Sequence, residues 1–145
     1  MDDVYIRVKQ FKKLYPLTIA HRLKKHSKVV QMHINPDEKL LYAFPAQKNE
    51  SSFITINTCV VAITNKRILI GQKRVLWGYF FTTITPDMYN DLQISKNLLW
   101  SSIEIDTVKE SIYLTNIDPK GAIEVETQIT DFMMKEKRKY AKKAN

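Results

Sequence analysis

Three histidines, a lone cysteine and one acidic pair are the groups in this 145-residue chain with the chemistry for metal binding or catalysis. His21, His26 and His33 lie five and seven residues apart, which does not bring all three onto one helical face, and no cysteine cluster accompanies them. They are expected to be solvated or helix-end residues. Cys59 stands in the apolar run Thr58-Cys59-Val60-Val61 with no recognisable nucleophile setting, so a small buried hydrophobe is expected. Glu104 and Asp106 share one face of a strand pattern, an ordinary arrangement for an exposed face. Gly71, Gly78 and Gly121 are too few and too scattered to form a phosphate-cradling loop. No catalytic residue, metal site or cofactor is expected, and the chain reads as non-enzymatic.

Binding residues are better represented. Lys73 and Arg74 precede Trp77, Tyr79, Phe80 and Phe81, and two cations beside dense aromatics can stack on a base, grip a headgroup or anchor a protein partner. Lys73, Arg74, Trp77 and Tyr79 are the candidate interaction surface. The preferred expectation set against it is a strand connection whose rings fill the interior, because aromatics bury large areas. Thr64-Asn65-Lys66-Arg67 is a candidate recognition turn. Asn tolerates positive φ, and Thr and Asn side chains bond local backbone. Turn chemistry, with Arg67 pairing on the surface, is therefore the preferred reading.

These residues need elements to hold them. Val4, Val8, Phe11 and Tyr15 recur on one face of a helix over 3–15, which Pro16 ends. A second helical piece is expected over 17–27, with Leu17, Ala20 and Leu23 inward. Asn35-Pro36-Asp37 marks a turn and the domain boundary. Seven strand-like runs follow, at 40–47, 56–64, 67–74, 79–84, 90–95, 99–106 and 110–114. Pro45 suggests an edge or an irregularity in the first. Regularly spaced short strands with turn signals imply a sandwich or barrel. Asp118 suits an N-cap and Pro119 the first position of a helix expected over about 118–140. Its stripe Ala122, Val125, Ile129 and Phe132 should close the open end of the sheets. Gly121 reads as a weak point in its first turn.

Charge is concentrated at the two ends. Residues 1–28 carry +6 and residues 135–145 carry +5, while 29–134 carry −3. The basic tail includes Lys135, Lys137, Arg138 and Lys139. Hydrophobic content of 44% supports a real core, and charged content of 26% argues against global disorder. One cysteine allows no internal disulfide, no secretory signal is visible and no run approaches a membrane span. A cytoplasmic protein is expected.

Seven short strands capped by one C-terminal helix is the pleckstrin-homology (PH) arrangement. Val61-Ala62-Ile63-Thr64-Asn65-Lys66-Arg67-Ile68-Leu69-Ile70 resembles the second and third strands of the bacterial PH domains, in particular the YokE-like group. Residues 84–89 resemble the approach to the fifth strand, and residues 114–118 the entry to the capping helix. The resemblance covers roughly residues 36–138.

It implies a mainly β, α+β fold: a PH-like seven-stranded barrel or orthogonal sandwich over 36–145. Residues 1–35 fall outside the resemblance and read, from their spacing and charge, as a basic amphipathic helical extension. The resemblance also implies a non-catalytic interaction or scaffolding module. The first inter-strand loop offers one lysine and one glutamate, so no specific phosphoinositide site is expected.

A protein partner or homo-oligomer is expected, met through the helical ends, with Val4, Val8, Phe11 and Tyr15 as a contact face. The alternative is a nucleic-acid or anionic membrane-surface binder that uses the basic ends.

Overall fold

The computed structural model describes residues 3–51 and 53–144. Two helices come first, α1 (Asp3–Leu14) and α2 (Leu23–Gln31). Seven strands follow: β1 (Leu40–Gln47), β2 (Thr58–Thr64), β3 (Ile68–Lys73), β4 (Tyr79–Ile84), β5 (Tyr89–Lys96), β6 (Ser101–Thr107) and β7 (Ser111–Ile117). The long helix α3 (Pro119–Ala144) closes the chain. The sheet order is β4-β3-β2-β1-β7-β6-β5, and every pairing is antiparallel.

The sheet consists of two well-paired blocks, β1–β4 and β5–β7, joined at one registered pair, Gln47 with Thr115. Pro45 pairs with Val60 of β2, at a point where β1 has no partner on the β7 side. An absent N–H therefore leaves no gap in that side of the ladder. The blocks face each other across one core. Phe44, Val61, Ile63, Ile68 and Ile70 of the first block meet Ile103, Ile105, Ile112 and Leu114 of the second. Ala122, Val125, Ile129 and Phe132 of α3 complete this core along the expected stripe. Asp118 caps α3, its Oδ1 accepting from Lys120 N–H at 3.0 Å.

A second apolar layer covers the other face of β1–β3. Val4 and Val8 of α1 and Val30 of α2 pack on Ala43, Val60, Ala62 and Leu69. Alternation along a strand sends successive side chains to opposite faces. Cys59, Val61 and Ile63 thus point into the main core while Val60 and Ala62 meet the helices. The whole of β2 is buried. Gly71 allows the close approach of α2, since a Cβ there would sit 2.7 Å from Val30 Cγ2 and 2.9 Å from Val29 Cγ1.

The second helix does not occupy 17–27. Residues 17–21 instead form an extended strap beside the β1–β7 junction. Ile19 N–H donates to Asn116 O at 2.9 Å, and Gln47 Nε2 donates to Ile19 O at 2.9 Å. Trp100 Nε1 donates to Leu17 O at 2.7 Å, and His21 N–H donates to Thr58 Oγ1 at 3.0 Å. Backbone groups committed to these partners are not available to a helical ladder. Leu17, expected inward, is 52% exposed.

Gly121 has a positive role that its low helix propensity conceals. A Cβ at this position would lie 2.7 Å from Phe11 Cζ and 2.9 Å from Tyr15 Cγ, so α1 rests on the first turn of α3 through the missing side chain. At an open helical position Gly→Ala would gain up to about 1 kcal/mol. Here Gly121→Ala is expected to destabilise by about 1–3 kcal/mol, the usual range for overpacking. Urea denaturation with fixed slope reads the sign directly, and a raised midpoint would rule out this packing role.

Candidate functional site

The β3–β4 hairpin carries the candidate interaction surface. Lys73 ends β3 and Tyr79 begins β4, opposite each other in register. Arg74 N–H donates to Gly78 O at 3.1 Å and closes the tip. The expectation that these aromatics fill the interior is overturned. Val75, Leu76 and Trp77 are 82%, 80% and 76% exposed, and Tyr79 and Phe80 are close to half exposed. The reason is register: the core-facing positions of β3 are Ile68 and Ile70, and the hairpin runs on past Gly71, the last residue of β3 paired with β2. Phe80 instead carries cations. The Arg74 guanidinium lies 4.0 Å from its ring centroid and Lys48 Nζ lies 5.4 Å from it.

Beside the hairpin an open groove of about 480 Å³ runs between the start of α2, the end of the β1–β2 loop and the hairpin. His21, Arg22 and His26 line it from the helical side, Ile56 and Asn57 from the loop, and Lys73, Arg74, Val75 and Phe80 from the hairpin. The loop adds its own exposed apolar residues, Phe53, Ile54 and Ile56. Asn57 Oδ1 accepts from Gln72 Nε2 and ties the loop to β3.

His26 is buried and its Nδ1 accepts from Lys73 N–H at 2.8 Å, which assigns the ring proton to Nε2. Burial, then the nearby Arg22 charge, lowers its pKa from 6.5 to about 4. Arg22 adopts left-handed φ of 52° at the head of α2, a conformation costly for a residue with a Cβ. His33 stacks on Phe81 at 3.8 Å, remote in role from the other two histidines. Among the described residues no group of three metal-ligating side chains converges.

In the turn motif Thr64-Asn65-Lys66-Arg67, Thr64 and Arg67 turn inward while Asn65 and Lys66 are exposed. Arg67 donates through Nη2 to Glu38 Oε1 at 2.7 Å, through Nε to Glu38 Oε2 at 3.2 Å, and to His33 O at 2.9 Å. Thr64 Oγ1 donates to Glu38 Oε2 at 2.7 Å and accepts from Lys66 N–H at 3.1 Å. Asn65 Oδ1 accepts from Lys39 N–H at 2.8 Å, and Asn65 is not among the positive-φ residues. The Glu38 side chain is fully buried, so Arg67 does not pair on the surface as the sequence suggested. Lys66 meets Asp37 in an exposed pair.

The other expected surfaces are largely committed. Val4, Val8 and Phe11 are buried against this chain's own strands. Tyr15 packs beside Phe11, and its hydroxyl donates to Glu124 Oε2 at 2.6 Å. Tyr42 donates to the same oxygen at 3.0 Å. The Tyr15–Glu124 hydrogen bond, with burial second, lifts the Tyr15 pKa to about 12. In the basic tail Lys137 Nζ donates to Tyr89 O at 3.0 Å and Lys139 pairs with Glu136 at 3.0 Å, and Lys135, Lys137, Arg138 and Lys139 are all exposed. Cys59 is buried and its thiol is pushed up to about 12 by desolvation, as befits an inert core residue. No helix among the described residues is long and apolar enough to cross a membrane.

Two acid windows follow. Glu38 loses basicity in the fold: burial alone would raise its pKa, but hydrogen bonds from Arg67, Thr64 and Asn35 outweigh it and lower it from 4.5 to about 2. Both His26 and Glu38 therefore bind protons more readily unfolded than folded. Stability should be full above pH 6.5, fall toward pH 4 through His26, and fall again from 4.5 toward 2 through Glu38. A His26→Phe variant should lose the upper step in a pH-denaturation series and keep the lower one. Arg67→Ala should cost about 2–4 kcal/mol by stranding a buried carboxylate, whereas Lys66→Ala should leave the midpoint unchanged.

Comparison with known proteins places this geometry. No curated protein matches the chain. Among solved structures it is similar to a pleckstrin-homology-containing member of the DUF1696 family from Shewanella loihica PV-4. That likeness has 13% identity and TM-score 0.51, over 76% of this chain and 92% of that one. It is also similar to a pleckstrin homology domain from Shewanella amazonensis SB2B, at 10% identity and TM-score 0.50, over 86% and 98%. A C-terminal domain of an unknown protein from Leishmania infantum aligns at 22% identity and TM-score 0.48, over 66% and 85%. The two Shewanella likenesses concern the fold. A family model described as Bacterial PH domain matches residues 34–132, from the segment between α2 and β1 to Phe132 of α3. The chain belongs to the bacterial PH domain family.

Proposed function

We propose that this chain is a non-catalytic protein-interaction module that meets its partner at the β3–β4 tip. One observation carries the reading: three consecutive apolar residues, Val75, Leu76 and Trp77, are more than three-quarters exposed beside Lys73 and Arg74. Contiguous exposed apolar surface rimmed by charge marks contact sites, and buried tryptophan and arginine dominate binding energy once a partner covers them. The partner is a different protein or a second copy of this chain. The apolar face of α1 is not the contact, because this chain's own sheet covers it. The basic ends are not required. Its single buried thiol suits a reducing compartment, and we assign the module to the cytoplasm.

A photo-crosslinking residue at Trp77 tests the site, with one at Ile123, exposed on α3, as the control. In cells expressing the full chain, Trp77 should give discrete protein adducts and Ile123 should not. Mass spectrometry separates self-adducts from a second protein. Lipid adducts at Trp77, or equal yields at both positions, would overturn the reading.

A further inference from the structure

We propose that the groove beside the hairpin takes an acidic, extended segment of a partner protein, with one apolar side chain of that segment seated against Ile56, Val75 and Phe80. This rests on the reading that the neighbouring tip is a protein contact, and it names the chemistry of what is contacted.

The sign of the groove selects the partner. Arg22, Lys73 and Arg74 line it, and no carboxylate among the described residues does. The ion pairs among the described residues are Lys66–Asp37, Arg67–Glu38 and Lys139–Glu136, so none of these three cations is paired with a carboxylate of the described residues. Lys73 and Arg74 stand out because residues 29–134 as a whole are acidic. Arg74 lies over the Phe80 ring, 4.0 Å from its centroid, which fixes the guanidinium at the groove wall and leaves its N–H fork free of any carboxylate among the described residues.

The shape selects a chain segment. The groove is a concavity of about 480 Å³, large enough for a few side chains. An anionic bilayer would wet the apex formed by Val75, Leu76 and Trp77 and leave the concavity unfilled. A peptide fills it, placing acids against the cations and an apolar anchor against Ile56 and Val75, which are 88% and 82% exposed in the free chain. Such charge complementarity steers encounter and rejects basic competitors.

The test uses the full chain as bait for a random displayed dodecapeptide library at physiological salt. The selected peptides should be enriched in Asp and Glu around an aliphatic or aromatic residue. By fluorescence anisotropy, the best of them should bind the Lys73→Glu/Arg74→Glu variant about tenfold or more weakly. Ile56→Asp, at a position outside the core, should weaken the same peptide and guards against a folding defect in the double variant; circular dichroism checks both. Vesicles of phosphatidylcholine and phosphatidylserine should not cosediment with the protein.

Selection without acidic enrichment, binding indifferent to both variants, or vesicle binding abolished by the double variant would each overturn the proposal. Protein adducts at Trp77 combined with a failed acidic selection would sink this inference and leave the tip-contact reading standing.

Discussion

The constraint on which the structure turns is the burial of β2 on both faces. A strand with Val60 and Ala62 on one side and Cys59, Val61 and Ile63 on the other cannot stand with one face in water. Something must cover the outer side, and the chain uses its own α1 and α2 for it. Fully burying a valine is worth about 1.5–3 kcal/mol, so Val4, Val8 and Val30 supply a substantial drive. A helix as short as α1 is marginal alone in water, and its helicity therefore depends on that docking. Helix and sheet each require the other, which makes the N-terminal segment an integral layer of the folded unit.

Three polar devices hold that layer in place. The Glu38–Arg67 pair joins the segment after α2 to the β2–β3 turn. The strap residues Leu17, Ile19 and His21 use backbone hydrogen bonds beside the junction of the two strand blocks. Glu124 accepts from Tyr15 and Tyr42 together and so binds α1, β1 and α3 at one carboxylate. Each device sits where apolar packing alone would leave freedom: at a turn, at a sheet junction and at a helix crossing. The two glycines at close approaches serve the same end, since α2 and α1 reach their seats only because Gly71 and Gly121 have no side chain.

Much of this was legible in the sequence, for physical reasons that differ by element. Continuous apolar runs mark β2 and β3, which are buried on both faces over most of their length, and period-two alternation marks β5, β6 and β7, each to within a few residues. The α3 stripe and its Asp118 cap were readable for the equivalent helical reason. Helix is correctly expected over 23–27, but residues 17–22 depart from the expectation because the spacing of Leu17, Ala20 and Leu23 mimics a helical period. The strap's hydrogen-bond partners, Asn116, Gln47, Thr58 and Trp100, lie far away in sequence and leave no local signature. Arg67 was expected at the surface because its carboxylate partner stands 29 residues earlier. The aromatics of the hairpin were expected inside because composition reports hydrophobicity, whereas exposure depends on how far a hairpin extends past its neighbours. The groove draws on three separate segments; His21 and His26 on one side and Lys73, Arg74 and Phe80 on the other are each visible in the sequence, but nothing local joins them into one surface.

The position of the hairpin tip has a consequence for how such a protein can diversify. Residues 74–78 belong to neither apolar core, and the turn is closed by a backbone bond, Arg74 N–H to Gly78 O. Stability and the proposed contact are therefore encoded in different residues. Side chains at Val75, Leu76 and Trp77 can be exchanged without disturbing the two-layer scaffold, so the surface offered at the tip can be rewritten at three positions while the fold stays fixed.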